Sequence, residues 1–125
     1  MLGLNPGVEI YIVCGITDMR KSYDGLTAIV EQELDLEWIS GALFVFCNRR
    51  RDRLKILHWD GSGLCVFCKR LERGTFSWPQ SPDKVVAYDE INLRCLLQGV
   101  DFDRSRKRKW LRKSHRRDDL SRRPA

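Results

Sequence analysis

The chain has 125 residues, 42% apolar and 32% charged, which suits one globular domain with a real core and needs no disulfide or metal staple. No apolar run approaches the 18 residues that would suggest a membrane span, and MLGLNPGVEIYIV lacks the basic leader and small-residue cleavage site of a secretory signal, so the expected compartment is the cytoplasm. Charge is uneven: residues 104–125 carry 11 Lys/Arg against Asp118 and Asp119, a net of +9, so the other 103 residues stand at −3 within the total of +6. A mildly acidic body with a strongly basic tail points to a polyanionic partner, nucleic acid ahead of a membrane surface; the plain alternative is a solubilising, disordered tail.

Taken in order, VEIYIV (Val8–Val13) is β-branched and alternating, and reads as a first strand after the Asn5-Pro6-Gly7 turn. Met19, Tyr23, Leu26, Ile29, Val30 and Leu34 then recur at steps of three and four, one face of a long helix that Thr17, Asp18 or Ser22 could cap. Gly25 inside that pattern suggests close packing on the sheet. Three short apolar runs follow, ALFVFC, LKILHW and LCVFC, separated by NRRRDR and DGSG. Gaps this short predict an antiparallel meander. ALFVFC does not alternate, as expected of a strand covered on both faces. Thr75–Trp78 reads as a short fourth meander strand stopped by Pro79, and Gln80–Lys84 as a loop. A second helix is expected over Asp89–Gln98, with Asp89 as N-cap, Gly99 just past its end, and Ile91, Cys95 and Leu96 facing inward. Val100-Asp101-Phe102 is expected to fold back on the core, and the tail from Arg104 has no apolar period.

Catalytic chemistry finds little support. His58 lies mid-strand and His115 in the tail, neither beside a nucleophile motif. Asp18, Asp24, Asp52, Asp60 and Glu72 could hold Mg²⁺ only if the fold gathered them, and each has a simpler local role. Cys65-Val-Phe-Cys68 is formally CxxC, yet no second pair follows, and strand positions three apart point to opposite faces. Cys14, Cys47 and Cys95 sit in apolar sequence, as small buried hydrophobes do. No metal or cofactor is expected.

Polyanion binding fits better. Arg49, Arg50, Arg51 and Arg53 sit at a hairpin tip with Lys55 just inside the next strand, and arginine forks match phosphate oxygens. Lys69, Arg70 and Arg73 form a second cluster, expected at the other end of the sheet. The plain alternative is a solvated turn whose charges protect an edge. Trp59, Phe67, Phe76 and Trp78 could stack bases only from one exposed face; core packing is the simpler role.

TDMRKSYDGLTAIV (Thr17–Val30), GALFVFCNRRRDRLKILHWDGSGLCVFCKRLERGTFSWP (Gly41–Pro79) and LLQGVDF (Leu96–Phe102) together resemble the small TnpB-type accessory proteins of the insertion-sequence-66 family of bacterial transposable elements. The matching positions are Thr17, Asp18, Met19, Arg20, Lys21, Asp24 and Gly25 in the opening; Arg49, Arg50, Asp52, Arg53, Lys55, Trp59, Asp60, Gly61 and Gly63 in the centre; and Lys69, Arg70, Glu72, Gly74, Trp78 and Pro79 in the close. Ser22-Tyr23 stands where Gly-Phe is common, and Lys107–Ala125 has no counterpart in the pattern. The resemblance spans about residues 8–102. It implies a role in transposition beside a separate, larger transposase and implies no catalytic residue in this chain. It has nothing to do with the RNA-guided nucleases that share the TnpB name.

The expected fold is therefore α+β: an antiparallel meander of four to five strands packed by one long and one shorter helix, as a single domain over 1–103, with a basic tail over 104–125. The expected function is a non-catalytic accessory factor in DNA transposition that grips DNA electrostatically through Arg49, Arg50, Arg51, Arg53, Lys55, Lys69, Arg70 and Arg73. The rivals are an adaptor that docks on the transposase or another element-encoded protein without touching DNA, and a metal-dependent nuclease.

Overall fold

The computed structural model describes residues 7–100. Five strands form one sheet: β1 (Ile10–Val13), β2 (Leu43–Cys47), β3 (Arg53–Trp59), β4 (Leu64–Arg70) and β5 (Val85–Tyr88), in the spatial order β4-β3-β2-β1-β5. Helix α1 (Tyr23–Ala28) runs on into a π-helical turn (Ile29–Glu33), a 3-10 turn (Trp38–Ser40) precedes β2, and α2 (Glu90–Gln98) follows β5.

The sheet is mixed. β2, β3 and β4 make the expected antiparallel meander, in register Val45↔Ile56↔Phe67. β1, however, lies parallel to β2, with Ile10 opposite Leu43, and only β5 is antiparallel to β1. The 29 residues between β1 and β2 include α1, which is the crossover a parallel return requires. The segment Thr75–Trp78 is not a fourth meander strand. Thr75 makes an isolated bridge to Val100, Phe76 N donates to Arg51 O at 2.7 Å, and Phe76 and Trp78 turn into the core. The fifth strand is instead Val85–Tyr88, a stretch whose sequence reading assigned no element.

β2 is buried along its whole length, LFVFC, so it needs apolar cover on both faces. Leu43, Val45 and Cys47 face one layer with Leu54, Ile56, Phe76, Trp78 and Leu93, Leu96 and Leu97 of α2. Phe44 and Phe46 face the other, with Leu57 and Leu26, Ile29 and Val30 of the long helix. Tyr11 stacks on Phe44 with ring centroids 5.6 Å apart.

The helix boundaries follow local chemistry. Asp89 caps α2, its Oδ1 accepting from Asn92 N at 2.7 Å, and Gly99 ends it at φ 74°. The inward face of α2 is Leu93, Leu96 and Leu97; Ile91 is 72% exposed and Cys95 is exposed, against the sequence expectation. A helix that begins at Glu90 puts 93, 96 and 97 on one stripe, and 91 and 95 fall beside it. The first helix starts at Tyr23 rather than at the Met19 of the periodic pattern, and Tyr23 is exposed while Met19 and Leu34 pack at the margin. Ser22 occupies its N-cap position without a side-chain bond. At its far end Lys84 Nζ donates to Glu33 O at 2.9 Å, covering one of the carbonyls that a helix C-terminus leaves open. The close neighbour of Gly25 is the Lys21 side chain, 2.9 Å from where a Cβ would stand, and not the sheet.

Among the described residues, no helix is long and apolar enough to cross a membrane. The basic tail, Asp101 and Phe102 lie outside the described residues; Val100 does fold back, exchanging two backbone bonds with Thr75. The cap on α2 gives a direct test: Asp89→Ala should cost about 1 kcal/mol of unfolding free energy in a denaturant titration, with the m-value unchanged.

Candidate nucleic-acid interface

The sheet register decides where the basic residues go. β2 ends at Cys47, β3 begins at Arg53, and Arg53 is paired directly with Arg70 at the end of β4. The arginine turn and the Lys69–Arg73 cluster therefore share one end of the sheet. This corrects the expectation of two separated patches: a strand that returns from the far turn must finish beside the first hairpin tip. Because β1 is parallel to β2, the Gly15–Lys21 segment also emerges here. Thr17 N donates to Cys47 O at 2.8 Å, and Lys55 Nζ donates to Lys21 O at 2.7 Å.

The turn between β2 and β3 is built by Asn48. Its Oδ1 accepts from Asp52 N and Arg53 N, both at 3.1 Å, and its Nδ2 donates to Asp52 Oδ1 at 2.8 Å. Arg51 N reaches back to Asn48 O at 3.2 Å, and Arg51 itself takes φ 63°, a left-handed conformation uncommon outside glycine, Asn and Asp. The turn is tied to the layer below it by Leu71 N to Asp52 O at 2.8 Å and by Phe76 N to Arg51 O.

These constraints sort the arginines. Arg49, Arg50 and Arg53 are exposed. Arg51 turns inward: its guanidinium lies 5.8 Å from the centre of the Trp78 ring, within cation–π range, and its Nη1 is buried without a protein partner. Trp78 is itself fixed by Nε1 donating to Val13 O at 2.9 Å. Lys55 and Lys69 are half-buried, Arg70 is exposed and bridges Glu72 at 3.0 Å, and Arg73 is exposed.

Of the acids at this end, three are engaged. Asp18 takes a two-pronged contact from Arg20, closest at 2.7 Å, and accepts Arg20 N; these bonds hold its carboxyl at about 2. Asp52 is bound by Asn48 and Glu72 by Arg70. Asp60 lies at the opposite end of the sheet, in the β3–β4 turn. Its Oδ1 accepts from Ser62 N and Gly63 N, each at 2.9 Å, and Gly61 takes φ 104°. Asp60 thus stands at the end opposite Asp18, Asp52 and Glu72, Asp24 lies in the first turn of α1, and among the described residues no three His, Cys, Asp or Glu side chains cluster as a metal site.

Burial pushes the Cys47 thiol up to about 11 despite the nearby Arg51, and burial also raises Cys14. Cys65 and Cys68 are exposed and three apart on β4, hence on opposite faces. His58 sits half-buried in β3 with Nδ1 unpartnered. The aromatics go to packing: Phe76 and Trp78 are buried, Phe67 lies against the core, and Trp59 meets Trp38 edge-on at 5.7 Å. No aromatic row is open for base stacking among them.

Sequence reasoning missed Asn48 and Thr17 as builders of this end. Asn48 carried a signal, since Asn before a charged tip is a common turn former. Thr17 is buried through a long-range backbone bond that no local pattern announces.

Two predictions follow from these geometries. Asn48→Ala strands two backbone donors and should cost about 1–3 kcal/mol in chemical denaturation, whereas Arg49→Ala should stay within about 0.5 kcal/mol of the parent. The Asp60 carboxyl is lowered to about 2 by the Ser62 and Gly63 amides, so a carboxyl-detected NMR titration should place its midpoint there. The sign is that of a depressed carboxylate: the turn is held fully above the ordinary value of 3.8 and loosens as pH falls toward 2.

Comparison with known proteins agrees with the sequence pattern. An uncharacterized protein, y4hO, of Sinorhizobium fredii is 39% identical over 102 residues, which cover 82% of this chain and 89% of that relative. A second, y4jC of the same organism, is 32% identical over 108 residues, 86% of this chain and 92% of the relative. No solved structure matches. The family model described as IS66 Orf2 like protein matches residues 8–107, and the chain belongs to that family, the TnpB-type accessory proteins of the IS66 insertion sequences.

Proposed function

We propose that this protein is a non-catalytic accessory factor in insertion-sequence transposition that binds duplex DNA electrostatically through the basic end of its sheet. The observation that carries the reading is the Arg53↔Arg70 pairing, which draws both basic clusters to one end. Exposed Arg49, Arg50, Arg53 and Arg73 stand there on a rigid two-stranded base, while Asp18, Asp52 and Glu72 are engaged with local partners. Rigid presentation matters because less side-chain freedom is lost when a guanidinium fork meets phosphate. Contacts of this kind position a protein on the backbone and carry no sequence information. Arg51 belongs to the fold of the tip rather than to its grip, and Lys55 and Lys69 contribute field more than contact. Arg106–Lys113 in the tail adds nonspecific affinity.

A second reading, an adaptor docking on the element's transposase or on another element-encoded protein, draws on one feature of its own. Ile16 is 53% exposed and Tyr23 48%, both flanking the Thr17–Lys21 segment at the same end. An apolar contact rimmed by arginines suits an acidic protein surface.

Salt titration separates the two. Duplex-DNA affinity of the full chain should fall with salt, and Arg49→Ala/Arg50→Ala/Arg53→Ala should flatten the log–log slope by roughly two to three units, about 0.9 for each lost phosphate contact. An unchanged slope in a folded triple variant would remove the tip from the DNA interface and leave the adaptor reading.

A further inference from the structure

The two outer strands of the sheet are unequal. β5 has four residues, and short edge strands protect themselves. β4 has seven, Leu64–Arg70, with no proline and no charge before Lys69. One side of it pairs with β3 throughout, and none of the hydrogen bonds among the described residues reaches its other side. Such an edge is a template for another strand.

The charge along the edge says which strand fits. Lys69 and Arg70 stand at the C-terminal end of β4, and Asp60 stands at the turn that leads into its N-terminal end. A second copy of this chain, added antiparallel, meets the first with its ends reversed. The register that pairs all seven residues has its two-fold axis at Phe67. It sets Cys65 opposite Lys69 of the second copy and Leu64 opposite the second copy's Arg70, so no two basic residues face each other, and the second copy's Lys69 comes to the side of the sheet where Cys65 Sγ contacts Asp60 at 3.5 Å. A parallel addition in register would instead stack Lys69 on Lys69 and Arg70 on Arg70.

We infer that the protein forms a two-fold homodimer by antiparallel pairing of β4 with β4, giving a continuous ten-stranded sheet whose two arginine ends point in opposite directions. The contact is isologous, as closed dimers require. It does not rest on DNA binding and is tested without DNA.

The test is sedimentation equilibrium of the full chain under reducing conditions, which keeps Cys65 and Cys68 from cross-linking. The parent should approach twice its 14.7 kDa mass as concentration rises. Cys65→Lys faces Lys69 of the other copy and should raise the dissociation constant roughly tenfold, since two like-charged cross-strand pairs form per dimer. Cys65→Glu should lower it, and Cys65→Lys/Lys69→Glu, which makes the same opposite-charge pairs with the signs exchanged, should reverse the loss and match Cys65→Glu. Circular dichroism of each variant reports whether the monomer is folded. A monomer at every concentration, a dimer indifferent to all three variants, or the Lys and Glu changes acting in the same direction would each overturn the pairing.

Discussion

A strand with no polar side must be covered twice, and β2 is that strand. Leu43, Phe44, Val45, Phe46 and Cys47 are all essentially removed from water, a continuous apolar run buried on both faces of the sheet. Every other element can be placed by asking which face of β2 it covers. The long helix covers Phe44 and Phe46, and α2 with Phe76 and Trp78 covers Leu43, Val45 and Cys47. β1 and β3 flank it, so its backbone groups are paired on both sides. The site inherits its position from this: the chain leaves β2 at Cys47, and the arginine turn stands where the buried strand stops.

That logic also shows what could be read in advance. Unbroken apolar runs announced β2 and its double cover, and the polar breaks announced two hairpins. Asp89 and Gly99 announced the limits of α2 through the chemistry of helix ends. The parallel placement of β1 was not legible, because strand direction depends on where a crossover lands and not on the residues of the strand. VVAY at Val85–Tyr88 was missed for a related reason: four residues on an edge show no period that distinguishes them from a loop. The inward stripe of α2 shifted because one residue of helix phase, some 100°, exchanges the buried and exposed faces.

For the candidate site, the residue types were visible and their grouping was not. Arg49–Arg53 and Lys69–Arg73 are 20 residues apart, and whether they meet depends on counting strands correctly between them. A single reversal, the Asp60–Gly63 turn, separates β3 from β4 and brings the chain back to the end where β3 began, so Arg70 had to arrive beside Arg53. Arg51 shows the converse limit. Within a run of three arginines, nothing local separates the one that turns inward; only its positive φ in the Asn48 turn, and the Trp78 ring beside it, give it a different task.

The tip is costly to build, and the cost bears on its role. It crowds like charges, holds a non-glycine residue at φ 63°, and leaves one guanidinium nitrogen buried without a protein partner. A turn selected only for reversing the chain would have used Asn-Gly or Asp-Gly and avoided all three. The surrounding structure compensates with the Asn48–Asp52 bonds, the Leu71 and Phe76 amides and the Trp78 face. Sites of stored backbone strain with this much local support tend to be ones where a side chain must be aimed. On the proposed reading the groups so aimed are the exposed Arg49, Arg50 and Arg53 that flank the strained Arg51. Holding three like charges outward on a fixed base costs repulsion that a bound polyanion would relieve, which is the physical sense in which the proposed reading differs from that of a merely solvated turn.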